Sequence, residues 1–360
     1  MIRVAYIELD THAEIASQMM DLTKDSKIVE VDYFFSSKIL SQLGISPGPK
    51  VHLSSEDSLI YDLSRATYDV VLIGTVHRYF SLFREVQKKF NTYLIVHNLN
   101  FTERSAIDLF FSFPKKDFSY RLKLLLKEGL LRAPILHRVK RRLLTLDQDL
   151  ALEPLRALPL FYTKYEESSK DSIVRVVIPG TVSQDRRNYK EVFKKLSREF
   201  QNPREGQNRK LQVVFLGKCS GKELSWIQKL EEQRLPGLEL VYFTHRVSND
   251  VFQMHMRSAD VLWSPVRKEN LFFSGKEYYG STKMTGALAE AITYGKPIVL
   301  PHFYYSTYPL AFQESADLFG LFQRLHGKDL VDLESYSKSA QLSSLENLLS
   351  SFVAKPSVTD

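Results

Sequence analysis

An α/β fold of two doubly wound, Rossmann-like domains facing across a cleft is what the sequence predicts, and three observations predict it. The chain has 360 residues, 44% hydrophobic and 25% charged, a globular composition too long for one ordinary core. Short β-branched runs alternate with helical spacings from the first residues onward, the pattern of a mainly parallel sheet covered by helices. The alternation stops near Tyr165 at the polar stretch EESSKDS and then starts again. The expected units are a first domain at 1–165, a linker at 166–172, a second domain at 173–330, and a C-terminal helix and tail at 331–360.

In the first domain the strand runs are Arg3–Glu8, Lys27–Tyr33, Asp69–Gly74 and Thr92–His97, with helices at Ala13–Leu22 and Phe80–Phe90. Each strand run is a nearly continuous apolar stretch, as strands buried on both faces require. The second series runs Ile173–Ile178, Leu211–Leu216, Leu238–Phe243, Asp260–Ser264 and Pro297–Leu300. Helices fit between them at Asn188–Phe200, Gly221–Gln233, Val251–Ser258 and Thr282–Tyr294, and leucines recur at helical spacing over Leu333–Phe352. Residues 201–210 read as a surface loop. The N-terminal MIRVAYIEL reads as a buried strand and lacks the parts of a signal peptide. No uncharged apolar run approaches the roughly 18 residues that cross a bilayer. A single cysteine, Cys219, excludes an intramolecular disulfide framework and a cysteine-cluster zinc site. A cytoplasmic protein is expected.

The net charge is +7, and it is local: residues 115–142 carry ten basic and two acidic side chains. Leucines, not aromatics, interleave the basic residues, which disfavours nucleic acid. The pattern suits an anionic membrane face, giving a peripheral location on the inner membrane surface; two helices with a solvated basic side fit it equally well.

Candidate chemistry concentrates in two places. In the second domain, Gly280, Ser281 and Thr282 can offer backbone N–H groups and hydroxyls to an anion, at the positive end of the helix they open. Lys283 reaches the same phosphates, and Glu290, about two turns on, can accept from ribose hydroxyls. A Gly/Ala-rich packing helix with Glu290 as an exposed charge fits the same spacing. In the first domain, His97 follows a strand at the carboxyl edge where open sheets bind ligands. His12 follows the first strand and could form an acid–base pair with Asp10 or Glu14, while Asp10 also suits a helix cap. His77 and Arg78 form a third candidate pair. There is no metal-ligand spacing, no phosphate loop of nucleotide triphosphatases and no dinucleotide fingerprint. A metal-independent reaction with no cofactor is expected.

The order of these motifs resembles GT-B glycosyltransferases, particularly glycosyltransferase family 4 of the bacterial polysaccharide type. The resemblance rests on VHN at 96–98, IPGTV at 178–182 followed by Arg186, Arg187 and Asn188, ADVLWSP at 259–265, and the helix–GKP–strand–Pro arrangement ending at Pro301. It implies transfer of a sugar from a nucleotide-diphosphate donor, bound by the second domain, to a glycan or lipid-linked acceptor on the first, in cell-envelope polysaccharide synthesis and with retained configuration. It also implies a donor-facing His97. Gly180, Thr181, Arg187 and Lys190, with Arg186 as an alternate, would bind the donor diphosphate, and Lys218 is a further candidate. The family carries two glutamates with seven residues between them. Glu290 matches the second, but Thr282 stands at the first, and Glu277 lies five residues earlier. A binding subunit without turnover is therefore the alternative, and a nucleotide-sugar epimerase ranks third.

Overall fold

In the computed structural model, which describes residues 1–111, 118–165, 173–201, 210–273, 275–326 and 333–353, the chain builds two parallel sheets. The first contains β1 (Ile2–Glu8), β2 (Val29–Phe35), β3 (Val51–Leu53), β4 (Val70–Ile73), β5 (Thr92–Ile95), β6 (Leu143–Thr145) and β7 (Arg156–Ala157). Its strand order is β3-β2-β1-β4-β5-β6-β7. The second contains β8 (Val174–Pro179), β9 (Leu211–Lys218), β10 (Leu238–Phe243), β11 (Val261–Trp263), β14 (Ile298–Leu300) and β15 (Ala311–Gln313). Its order is β10-β9-β8-β11-β14-β15. Every pairing in the two sheets is parallel. Both orders reverse direction beside the first strand of their domain, and the crevice at such a reversal is where ligands of open α/β sheets bind.

The long central strands are the ones the sequence announces, because β1, β2 and β9 are buried almost throughout. The short edge strands β3, β6, β7 and β15 carry too few residues to stand out. The proposed linker 166–172 and most of the proposed loop 201–210 fall outside the described residues.

Besides direct bonds such as those of Ser306 and Thr307 to Asp149, two elements reach from one domain to the other. The last helix, Lys338–Val353, returns to the first domain, where the Phe352 ring stacks on Tyr93 at 3.7 Å and Glu346 accepts from Ser26 at 2.6 Å. The second tie is an antiparallel hairpin, β12 (Glu269–Phe272) and β13 (Gly275–Tyr278). It leaves the second domain and packs Phe273 into the apolar layer of the first, beside Phe101. The sequence gives no hint of this hairpin, since its strands are mostly exposed or half-buried and the buried aromatic, Phe273, sits in the turn against another domain.

Candidate active site

A cleft of about 740 Å3 opens between the domains at the carboxyl edges of both sheets. From the first domain it takes His12, His77 and His97, which follow β1, β4 and β5. These strands are neighbours in the sheet, so residues far apart in sequence meet as one cluster. The His12 and His97 rings stack at 4.3 Å, and His77 stands edge-on to both at 6.1 and 5.9 Å.

The three imidazoles differ in how readily they take up a proton. His12 occupies the left-handed region, with φ 61°, at the start of the helix Ala13–Thr23. Its Nδ1 lies 2.8 Å from Glu14 Oε1. A carboxylate only accepts, so Nδ1 carries the proton and Nε2 is left for chemistry. Burial opposes the charged ring, but the Glu14 bond and the fields of Glu14 and Glu8 outweigh it and raise the His12 pKa. Burial and the neighbouring His12 push His97 well below the ordinary value, and burial chiefly lowers His77 to about 3. His97 Nε2 sits 3.1 Å from the Gly74 carbonyl, which fixes its neutral tautomer with the proton on Nε2.

Glu8, at the end of β1, is a member of this cluster that the sequence reading missed. It is almost wholly buried, accepts from the Thr75 hydroxyl at 2.7 Å, and has its pKa raised to about 7 by burial. A Cβ at Gly74 would lie 2.6 Å from its carboxylate and 2.5 Å from the Tyr6 hydroxyl, so a larger residue there would displace both. Asp10 is not the helix cap. It accepts from Lys38 at 3.1 Å and from Arg78 at 3.2 Å. Arg78, forked on the buried Glu128, does not line the cleft.

From the second domain the cleft takes Gly180, Thr181, Arg186, Arg187, Thr282, Lys283 and Glu290. Several expectations are corrected here. The helix begins at Gly286, not at Thr282. Gly280, Ser281 and Thr282 instead form a tight turn whose N–H groups are already engaged: those of residues 281–283 donate to the Tyr278 carbonyl and that of Gly280 to Lys283. Gly280, at φ 79°, packs against Tyr304. The open helix end is Gly286, which faces empty space. Lys190 turns away from the cleft and lies over the Trp226 ring at 5.5 Å. Lys218 ends β9 outside the cleft lining.

Arg187 lines the cleft, but its guanidinium donates to the Pro179 carbonyl at 2.5 Å and the Thr181 carbonyl at 3.2 Å, bracing the turn at Gly180. Arg186 is exposed at the rim and makes no side-chain bond among the described residues. It is the better placed cation for a ligand. Lys283 reaches across to Asn98 Oδ1 at 2.8 Å, and its pKa is lowered, first by burial.

Glu290 lies on the helix one turn beyond Gly286, about 6 Å deeper. Among the described residues it makes no hydrogen bond or ion pair. Burial, with the Glu14 charge, lifts its pKa to about 7. Glu277 does not stand in for the absent family glutamate. It is 1% exposed and points away from the cleft, accepting from Asn100 N at 3.2 Å, Phe101 N at 2.8 Å and the Thr282 hydroxyl at 2.7 Å.

Neither a protein-family model nor a curated protein sequence matches the chain. Solved structures do. The lipopolysaccharide outer core galactosyltransferase WaaB is similar at 12% identity, with a TM-score of 0.52 over 97% of this chain and 99% of that one. The Candida albicans trehalose-6-phosphate phosphatase N-terminal domain gives 0.51 at 11% identity, covering 98% and 95%. The fold is GT-B. The Neisseria meningitidis UDP-GlcNAc 2-epimerase, bound to UDP-GlcNAc, gives 0.50 at 10% identity over 97% and 100%. At these identities the likeness concerns the GT-B architecture alone. Among the described residues no group of three or more His, Cys, Asp or Glu is arranged to hold a metal ion, and no helix is long and apolar enough to cross a membrane.

Proposed function

We propose that this protein is a glycosyltransferase that moves a sugar from a nucleotide-diphosphate donor to a hydroxyl of a glycan or lipid-linked acceptor. The observation that carries the reading is Glu290, a half-buried carboxylate that lines the interdomain cleft and has no hydrogen-bond donor of its own among the described residues. Its free acceptors face the cleft, and ribose hydroxyls can donate to them. Gly286, one helical turn from Glu290, lines the cleft together with Lys283 and Arg186; these gather positive charge for the diphosphate, and we assign transfer to these groups without a metal or cofactor. Similar GT-B structures act as a galactosyltransferase or hold UDP-GlcNAc, which favours a UDP-sugar.

The test is thermal unfolding with UDP-, GDP- and CDP-sugars. At one hundred times its dissociation constant the right nucleotide stabilises by about 2.7 kcal/mol, and Glu290→Gln removes most of that. The ligand-free proteins behave oppositely. A carboxyl whose folded pKa is raised gives stability below its unfolded value, near 4.5, that is lost as pH climbs through about 7. Glu290→Gln is therefore expected to melt higher than wild type at pH 8, by up to about 3 kcal/mol, and with it at pH 4. Equal melting at both pH values, with no nucleotide shift, would sink the reading.

Thr282 supports the second reading, a subunit that binds donor without turnover: its hydroxyl is bound to Glu277, and no carboxylate occupies its position. Release of free UDP from the stabilising donor decides against that reading.

The location we propose is the cytoplasmic face of an anionic membrane. The basic segment is also where large apolar side chains stand exposed, Phe111 at 78% and Leu126 at 73%, with Phe110, Phe118, Ile135 and Val139 nearby in sequence. Lys123, Lys127, Arg132, Arg138 and Arg141 are exposed among them, while the opposing Glu128 is buried on Arg78; Lys115 and Lys116 fall outside the described residues. Sedimentation with phosphatidylglycerol vesicles is expected at low salt. Each neutralisation, Lys123→Gln or Arg141→Gln, weakens it by about 1 kcal/mol, near fivefold. Equal partition onto neutral vesicles would refute an electrostatic dock.

A further inference from the structure

A second cavity, of about 430 Å3, lies in the first domain, within the range of about 300–1,000 Å3 usual for small-ligand sites. It sits at the carboxyl edge of the same sheet: Ser36 and Ser37 follow β2, and Ser54, Ser55, Glu56 and Ser58 follow β3. Leu9 and Tyr79 complete the side nearest the cleft.

Only two short turns separate this cavity from the cleft. Leu9 lines the cavity and His12 the cleft; Tyr79 lines the cavity and His77 the cleft. An extended chain covers at most about 3.6 Å per residue. Residues of the two linings therefore stand within about 7 Å of each other along one turn and about 11 Å along the other, which is the reach of a short oligosaccharide passing over the rim between them. The dividing wall is braced. Arg78 bonds Glu128 at 2.6 Å and Asp10 at 3.2 Å, Glu128 also accepts from Tyr79 N at 3.1 Å, and the guanidinium lies 4.7 Å over the Tyr79 ring. Among the described residues of the first domain, the two non-glycine residues with positive φ are His12 and Tyr79, one in each turn of this wall. Strain of that kind persists where the surroundings impose it, and it clusters at functional sites.

We propose that this cavity is a sugar subsite for the acceptor glycan, taking an uncharged or amino sugar; the proposal rests on the glycosyltransferase reading for its role but not for its chemistry. Serine hydroxyls donate and accept alike, matching sugar hydroxyls, and Leu9, Leu53 and Tyr79 add apolar lining. The Ser37 hydroxyl and the Glu56 carboxylate engage no partner among the described residues. Glu56 beside Asp57 disfavours a phosphorylated or acidic sugar.

The experiment is saturation-transfer NMR with chitobiose, lactose and maltose on wild type and on Ser37→Trp and Ser55→Trp, both at exposed rim positions, with UDP binding followed by melting. At least one disaccharide should receive saturation from wild type, and both variants should lose at least 80% of it while keeping the UDP shift. Saturation of no disaccharide, or saturation that survives either folded variant, overturns the proposal. If UDP fails to bind and the tryptophans still abolish the sugar signal, the glycosyltransferase reading falls and the sugar site stands.

Discussion

Replacing His12 by alanine lowers kcat for sugar transfer by about 10²–10⁴-fold while leaving the nucleotide-induced melting shift at its wild-type size. The measurement is UDP release from the stabilising donor, with and without a disaccharide acceptor. The size follows from the geometry: His12 is the one imidazole of the cluster whose surroundings favour its charged form, and Glu14 holds its Nδ1 proton at 2.8 Å. Its Nε2 can take the proton of an attacking hydroxyl, and Glu14 then stabilises the imidazolium. A base so placed suits direct displacement, which inverts the anomeric centre. Retention, implied by the sequence resemblance, needs no such base, and a loss below tenfold with a retained product would restore it.

The pH profile gives the same idea a second readout. His12 acts as a base only when deprotonated, and its pKa is raised, so kcat/KM should climb with pH through a value above 6.5 and then level off. Glu14→Ala removes both the hydrogen bond and the field that lift His12. The rising limb should then move to lower pH while the plateau falls, because the ring has lost its orienting partner. A residue that merely packed the turn would change the plateau and leave the limb where it was.

The sheets were legible because parallel strands buried on both faces must be continuous apolar runs, and β1, β2, β8 and β9 are such runs. The site was legible in part. His12, His97, Lys283 and Glu290 stand where strand ends and a glycine-rich helix start can be read locally, and all four line the cleft. Their grouping was not legible, since the stacking of His12 on His97 depends on β1 and β5 both flanking β4. The misplaced helix start has a similar cause. Gly280-Ser281-Thr282 has the composition of an anion-binding turn, but the Tyr278 carbonyl takes the N–H groups that composition seemed to offer. Lys190 belongs to a helix whose neighbour supplies Trp226, a contact no spacing reveals. Arg186 and Arg187 are adjacent, and only the fold shows that the second braces the Gly180 turn and leaves the first open.

Glu277→Ala is expected to destabilise the protein by about 3–5 kcal/mol, the loss coming from the domain interface. The carboxylate is buried at a junction of both domains, where it satisfies two backbone N–H groups of the first and a hydroxyl of the second. Truncation leaves those donors unpaired out of water, at about 1–3 kcal/mol each. Glu277→Gln keeps one acceptor oxygen and should lose about half as much. Neighbouring bonds share the latch: Leu99 N donates to the Thr282 carbonyl at 2.9 Å, and Lys283 holds Asn98 at 2.8 Å. Loosening Glu277 therefore frees the turn that carries Lys283, and nucleotide affinity should fall with stability even though Glu277 does not line the cleft. Chemical unfolding of the three proteins, with nucleotide titrations on each, checks both halves. A catalytic carboxylate would show the reverse, with unfolding unchanged or delayed on its removal and turnover lost. Stability unchanged in Glu277→Ala would mean that the hairpin does not clasp the first domain in solution, and that the domains are held by the returning helix and by bonds such as those of Ser306 and Thr307 to Asp149.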